Sequence, residues 1–301
     1  LSAESNLSII LPAYNEAGVV GTVVQGLRES FPHAEILVVD DRSRDETAEE
    51  ASAAGARVIS HKYNMGNGAA IKTGALHATG DVLVFMDADG QHSAENVRAL
   101  LTKIDEGYDM AIGARDSDGQ ANRRRHFGNG LLNRLASVLT GHRIDDLTSG
   151  FRAARANTFR QFLYLLPNGF SYPTTSTMAF LRSGHSVAFV PIKVHKRKGA
   201  SKISLAKDGV RFLVIVMKMT TLFSPMRVFF PLSILFFVLG AVRYGYFYWE
   251  TGGFSAFAGV MFITAILIFL IGLISEQVTA LHYGISRAET DYKNLDDNSS
   301  S

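Results

Sequence analysis

The chain has no cysteine in 301 residues, so disulfides, thiolate nucleophiles and cysteine-ligated zinc or iron–sulfur centres are excluded. It has one tryptophan, Trp249, and seven prolines. Its net charge is only +2, too small for a protein that grips nucleic acid as a polyelectrolyte, and no nucleic-acid partner is expected. No internal repeat is present. The only low-complexity stretch is the polar end Asp291–Ser301, expected to be disordered. Leu1–Asn6 is short and polar and holds no secretory signal, which leads us to expect the N-terminal half on the cytoplasmic side.

What is there is unevenly placed. Through residue 115 the pattern alternates βαβαβαβαβ, with strands near 7–11, 35–40, 56–60, 82–87 and 109–114. Helices fall near 17–30, 46–54, 68–78 and 94–106. Such alternation implies an α/β domain whose largely parallel sheet is covered by helices on both faces. The region 127–191 is mixed: Leu131–Thr140 and Asn157–Leu165 read as helices and Ser186–Pro191 as a returning strand.

Polar residues collect where these strands end. Val82–Met86 is an apolar run that delivers Asp87, Asp89 and Gln91 at its end. Two carboxylates with one residue between them, and an amide oxygen nearby, suit a hard divalent cation such as Mg²⁺ or Mn²⁺. A cation there would neutralise a diphosphate leaving group. The competing reading is that the two acids merely cap the helix starting at Ser93–Glu95, and Asp-x-Asp alone is a weak motif.

Four further segments accompany it. Ser8–Glu16 is a strand entering a loop at Pro12. Ile36–Asp45 is a strand ending in Asp40 and Asp41, and Asn64–Gly74 opens a helix from a glycine-rich turn. Met110–Arg115 then follows the Asp-x-Asp by one helix and one strand. In this order and spacing, residues 5 to 205 resemble a family-2 glycosyltransferase of GT-A fold. Within that family they resemble the polyprenyl-phosphate hexosyltransferases, the dolichol-phosphate mannose synthase group. The Gln-x-x-Arg-Trp signature of processive polysaccharide synthases is missing, which argues against polymerisation.

The resemblance implies roles. Pro12, Tyr14, Glu16, Val39, Asp41, Asp87, Ala88, Asp89 and Arg115 would line the nucleotide-sugar pocket, with Asp40 orienting its loop. Asp87, Asp89 and Gln91 would carry the metal and diphosphate, with His92 beside them. Arg115 belongs to the family's Gly-x-Arg turn, where Gly113 allows close backbone approach. One of Arg123, Arg124 and Arg125 would grip the acceptor phosphate, and we take Arg125; the bland alternative is a solvated basic loop. Arg197-Lys198-Gly199-Ala200-Ser201-Lys202 resembles a basic segment that closes over the phosphates, its spacing leaving Arg197 or Lys198 for the family arginine. Asp145–Arg152 matches an acceptor-side segment, with Asp146 as a supporting contact. Asp89, Arg115, Arg125 and Arg197 are the residues expected to carry catalysis, and an arginine's planar fork suits phosphate.

The last third is apolar. Val228–Trp249 and Phe254–Ile274 each have about the length that crosses a bilayer as helix. Glu250–Gly253 would turn between them, beside the interfacial aromatics Tyr244, Tyr246, Tyr248 and Trp249. Lys193, Lys196, Arg197, Lys198, Lys202, Lys207, Arg211 and Lys218 precede the first span and Arg287 follows the second, which places both termini in the cytoplasm. Arg243 would snorkel to the far interface, and Glu276 would face headgroups or a neighbouring helix. Ser204–Thr221 reads as an interfacial helix, with a core helix as the alternative.

The expected organisation is a catalytic domain over 1–203, a juxtamembrane helix over 204–224, a hairpin over 225–284 and a tail over 285–301. The expected activity is inverting, metal-dependent transfer of a hexose from a GDP- or UDP-linked donor to dolichyl or undecaprenyl phosphate. Membrane lipid surrounds the acceptor, and the hairpin offers a surface for homo-oligomerisation. Competing readings are a synthase acting on a lipid hydroxyl, which would need a general base, and a non-catalytic membrane scaffold.

Overall fold

The computed structural model describes residues 3–115, 130, 133–134, 136–138, 140–169, 171–192, 221 and 225–299, with side chains of the final helix as far as Leu281. The chain divides into two compact units, Leu1–Ser204 and Leu205–Ser301.

The first unit is built on seven strands: β1 (Leu7–Ala13), β2 (Glu35–Asp40), β3 (Arg57–Ser60), β4 (Val82–Phe85), β5 (Met110–Arg115), β6 (Arg152–Arg155) and β7 (Val187–Ile192). Their order across the sheet is β3-β2-β1-β4-β6-β5-β7. Every pairing is parallel except those of β6, which runs antiparallel to β4 and β5. From β1 the chain steps outward to β2 and β3, then returns to the other side of β1 as β4. That reversal opens a crevice beyond the carboxyl ends of β1 and β4, where open α/β sheets bind ligands.

The helices are α1 (Val20–Ser30), α2 (Thr47–Ala53), α3 (Asn67–His77), α4 (Ala94–Asp105), α5 (Ala156–Arg160) and α6 (Tyr172–Arg182). Alternation along β1 assigns its two faces. Leu7, Ile9 and Leu11 enter one core with Val20, Val24, Val97 and Leu100 of α1 and α4. Ile10 faces α3, where a Cβ on Gly74 would lie 2.3 Å from its Cγ2, so that helix lies close to the sheet only because residue 74 is glycine. Phe159 of α5 stacks near Phe85 of β4 at 4.5 Å.

The strands and helices expected through residue 115 are present, with ends shifted by a few residues. Two elements were not anticipated, β6 and α6. Arg-Ala-Ala-Arg has no β-branched or aromatic residue, and Tyr-Pro-Thr-Thr-Ser-Thr begins with poor helix formers. Burial decides both: Ala153 and Ala154 are fully enclosed, and α6 is buried from Tyr172 to Leu181. The helix expected over 157–165 is shorter, α5 followed by a 3₁₀ turn at Leu163–Leu165.

In the second unit, α7 (Met226–Thr251) and α8 (Ala256–Ser299) pack as a hairpin. Gly252 ends α7 at φ 65°, a left-handed cap that costs glycine nothing. Gly240 and Gly272 let the helices approach: Cβ atoms there would lie 3.1 Å from Phe262 and 2.7 Å from Phe229. Glu276 accepts from the Met226 N–H at 3.4 Å, so it faces the neighbouring helix and satisfies an orphan amide of its first turn. Met226–Thr251 and Ala256–Leu281 are each long and apolar enough to span a bilayer, and most of each is unburied. α8 runs on through residues 291–299, where disorder was expected; the hydrogen-bonded spiral continues from an already nucleated helix. The helix expected over 204–221 lies, apart from Thr221, outside the described residues.

Candidate active site

The loop after β1 is fixed by the loop after β2. The N–H groups of Asn15, Glu16, Ala17 and Gly18 donate in turn to Ser43 Oγ at 3.0 Å, Thr47 Oγ1 at 2.9 Å, Asp45 Oδ2 at 3.2 Å and Glu50 Oε2 at 2.7 Å. Two non-glycine residues at this edge hold left-handed backbone, Asn15 at φ 57° and Arg42 at φ 65°. Such strain persists only where surrounding contacts over-determine it, as this clip does. Burial would raise the Asp45 carboxyl, but hydrogen bonds from Thr47 and Ala17 prevail and hold it below the ordinary range.

This edge exposes Tyr14 and leaves Glu16 half-buried. Pro12 and Val39, expected to line the nucleotide-sugar pocket, sit one residue before the carboxyl ends of β1 and β2. They are register partners inside β1 and β2, both buried, and a Val39 methyl packs toward α3. Asp40 Oδ1 accepts from the Ser43 N–H at 3.0 Å, a turn that orients the loop.

Asp41 follows β2 directly. It is buried, and its carboxylate accepts from the Met65 N–H at 2.7 Å, the Gly66 N–H at 2.7 Å and pairs with His61 Nδ1 at 2.8 Å. His61 Nε2 lies 2.9 Å from Thr73 Oγ1. Asp41 therefore ties β2 to β3, α3 and the glycine-rich turn. That turn needs glycine because another loop lies on it. Cβ atoms on Gly66 and Gly68 would meet Asn168 O at 2.5 Å and Pro167 O at 2.1 Å.

At the end of β4, Ala88 is buried, Asp87 is exposed, and Asp89 and Gln91 are half-buried. Asp89 Oδ1 accepts from the Gln91 N–H at 3.2 Å. The cap of α4 is Ser93, whose Oγ accepts from the Asn96 N–H at 3.3 Å, so the two aspartates are not helix caps. His92 stacks on Phe151 with centroids 4.2 Å apart. Burial, and then the charge of Arg115, push its imidazole down to about 4, which keeps it neutral at physiological pH.

Across the crevice Arg115 ends β5. Its Nε donates to Asp146 Oδ2 at 2.8 Å, and its Nη2 donates to Asp146 Oδ1 at 3.1 Å and Thr148 Oγ1 at 2.8 Å. Burial would raise the Asp146 carboxyl, but the Arg115 fork and Thr148 outweigh it and hold it below the carboxylate range. Gly113 leaves room for side chains packed against the strand: a Cβ there would lie 2.6 Å from the Phe151 ring and 2.8 Å from Ile192.

The structure thus places Tyr14, Glu16, Asp87, Asp89, Gln91 and Arg115 at the carboxyl ends of β1, β4 and β5, along one edge of the sheet. Arg125, Arg197, Lys198 and Lys202 lie outside the described residues, as do Arg123 and Arg124. Sequence reasoning missed His61 and Tyr172, and held Thr148 and Arg152 only as members of the acceptor-side segment Asp145–Arg152, without a role of their own. His61 follows β3 directly, so its place at a strand end was the available signal; nothing in Phe-Arg-Ala-Ala marks Arg152 as fully buried.

The metal expectation fits these residues. Among the described residues no three His, Cys, Asp or Glu side chains cluster to form a closed cage. Two carboxylates and an amide oxygen instead suit Mg²⁺ or Mn²⁺, which keeps positions for water and substrate phosphate.

Residues 8–163 match the family model for glycosyl transferase family 2. The chain belongs to that family. Residues 224–281 match a second model, the GtrB C-terminal hairpin, which with the two apolar helices makes this family member membrane-anchored. Polyprenol monophosphomannose synthase of Mycolicibacterium smegmatis is 34% identical, over 65% of this chain and 80% of its own. Dolichyl-phosphate hexose transferase of Haloferax volcanii is 32% identical, over 68% and 89%. The fold is shared with glucosyl-3-phosphoglycerate synthase from Mycobacterium tuberculosis, solved with Mn²⁺, UDP and glucosyl-3-phosphoglycerate. It has a TM-score of 0.60 at 20% identity, covering 72% of this chain and 81% of that one.

Proposed function

We propose that this glycosyltransferase moves a hexose from a GDP- or UDP-linked donor to a polyprenyl phosphate, giving a polyprenyl-phosphate sugar with inverted anomeric configuration. One observation carries the reading. An aspartate pair follows β4 at the topological switch point, and an arginine whose fork is pinned by Asp146 ends β5 at the same edge of the sheet. Opposite charges fixed in place suit a reaction between two phosphorylated groups. The mannose- and hexose-transferring relatives, whose names carry polyprenol and dolichyl phosphate, support the acceptor class.

A phosphate monoester has its second pKa near 6, so the acceptor is already a nucleophile at neutral pH. A non-bridging acceptor oxygen attacks the anomeric carbon. As that C–O bond forms, the bond from the same carbon to the diphosphate oxygen breaks, and the nucleoside diphosphate leaves from the opposite side. No proton need move. The protein's task is to align two anions and offset their repulsion. Tyr14 and Glu16 border the nucleotide, and Arg115 meets the phosphates. Arg125, Arg197, Lys198 and Lys202 complete the acceptor-phosphate and nucleotide-sugar contacts. Asp87, Asp89 and Gln91 would hold Mg²⁺ or Mn²⁺, which when bound supplies positive charge for the leaving diphosphate. The hairpin keeps the site near a lipid-borne substrate, with catalytic unit and termini on the cytoplasmic side.

The test is a matrix of GDP- and UDP-hexoses against dolichyl and undecaprenyl phosphate, using the full chain in detergent. Sugar should appear on the phosphate lipid with one donor favoured. Equal transfer to a polyprenol lacking phosphate would overturn the reading.

A further inference from the structure

The acceptor-side loop Asp146–Gly150 has two sides. One holds Arg115 through Asp146 and Thr148. The other is pinned from within the fold by two buried residues. Arg152 is 0% exposed and donates from Nη2 to Ser149 O, and from Nη1 to Pro173 O at 3.0 Å and Ser176 Oγ at 2.6 Å. Tyr172, the first residue of α6, donates its hydroxyl to Gly150 O at 3.0 Å, and its ring lies 5.6 Å from the Arg152 guanidinium carbon.

Arg152 is an unusual residue to bury. Among the described residues its hydrogen bonds end on carbonyls, hydroxyls and a thioether, with no carboxylate among them, and its Nε has no partner. Burial lowers its pKa, yet only to about 10, so it stays charged at neutral pH. The Asp146 charge opposes that shift from nearby, but no carboxylate bonds the guanidinium; burying a charge in this way destabilises a fold, and an apolar residue would pack there without that penalty. Its register shows what the charge sits beneath. Arg152 pairs with Phe85 on one side, two residues before Asp87, and with Ile112 on the other, three before Arg115.

We infer that Arg152 is a positioning residue, which with Tyr172 sets the Asp146–Gly150 loop so that Asp146 and Thr148 present the Arg115 guanidinium to the transferring phosphates. It touches neither substrate. Its effect travels through Ser149 O to the adjoining Thr148, and thence to Arg115. The inference rests on the transfer reading above.

The experiment is a double-mutant cycle on the full chain, with kcat, KM for donor and acceptor, nucleotide affinity and melting temperature all measured. Arg152→Lys keeps the charge but loses the fork that spans Ser149 O and Ser176. It should lower kcat about tenfold, with nucleotide affinity changed less than about threefold. In an Arg115→Ala background the same substitution should change kcat less than about twofold, because residues acting through one another are non-additive. Tyr172→Phe removes one hydroxyl and should give a smaller loss that also vanishes in that background; it carries the test if Arg152→Lys fails to fold. Additive losses, or a fall in kcat that merely tracks lost nucleotide affinity and melting temperature, would overturn the inference. A wild-type chain that transfers nothing to polyprenyl phosphate overturns the transfer reading itself, whereas an active wild type with an additive cycle overturns the positioning role alone.

Discussion

Asp41→Ala separates two uses of a carboxylate at a strand end. In the structure its oxygens hold the Met65 and Gly66 amides and His61, at 2.7, 2.7 and 2.8 Å. Hydrogen bonds to an ionised group each contribute about 1.5–3 kcal/mol. The two amides are half-buried, so water replaces part of what they lose, and the expected destabilisation is about 3 kcal/mol. For a unit the size of Leu1–Ser204 that lowers the melting temperature by about 6–12 °C. Asp41→Asn should recover little, because its amide nitrogen must face one backbone N–H or the other. Calorimetry is the suitable assay, since the single tryptophan lies in the hairpin and its fluorescence does not report on this unit. Nucleotide affinity, titrated well below the new melting temperature, should change less than about threefold. A variant with an unaltered melting temperature and a tenfold loss of nucleotide affinity would refute the structural role.

Asp89→Ala should abolish transfer without altering the melting temperature, EDTA should do the same to the wild type, and Mg²⁺ or Mn²⁺ should restore it; full activity in chelator sinks the metal assignment. Arg125→Ala should reduce efficiency toward polyprenyl phosphate about ten- to hundredfold while nucleotide titrations change much less, and Arg125→Lys should recover part. Asp146 has a depressed pKa in the folded state, so its contribution is present above the unfolded value near 3.9 and disappears as pH falls through the lower folded one. The melting-temperature gap between wild type and Asp146→Asn should therefore be constant from pH 7 to about 5 and close below about 4; a gap that widens in acid contradicts this. Reporters at Ser301 and Gly252 should lie on opposite sides of the membrane, Ser301 on the cytoplasmic side, and a shared side rules out the two-span hairpin.

The first 115 residues were legible because period and punctuation agree there. Ile9, Leu11, Val38 and Val84 read as buried strand, and they form the core. β6 and α6 were not legible because neither propensity nor period marks them. Arg152–Arg155 becomes a strand only because β4 and β5 leave a gap of the right width. The threonines of α6 become helical with their hydroxyls turned back to carbonyls one turn earlier, Thr175 to Ser171 O at 3.2 Å and Thr177 to Pro173 O at 2.8 Å.

A related limit governs the site. Motif reasoning finds residues by type and place along the chain, and a carboxylate at a strand end looks the same whether it faces the crevice or the protein. Asp41 and Asp87 are both such residues, yet one is buried against two amides and a histidine while the other is exposed. The deciding partners are His61 and the Met65–Gly66 turn, which come from β3 and the start of α3. Those segments reach Asp41 only after β3 pairs with β2, in a register that sets Asp40 opposite Ser60. The glycines of that turn follow the same logic. They read as a turn that opens a helix, but the atoms that exclude a side chain belong to residues 167–169, a hundred positions away. A Gly68→Ala chain should therefore lose stability rather than substrate affinity, because its Cβ meets backbone oxygen, which cannot swing aside as a flexible side chain would.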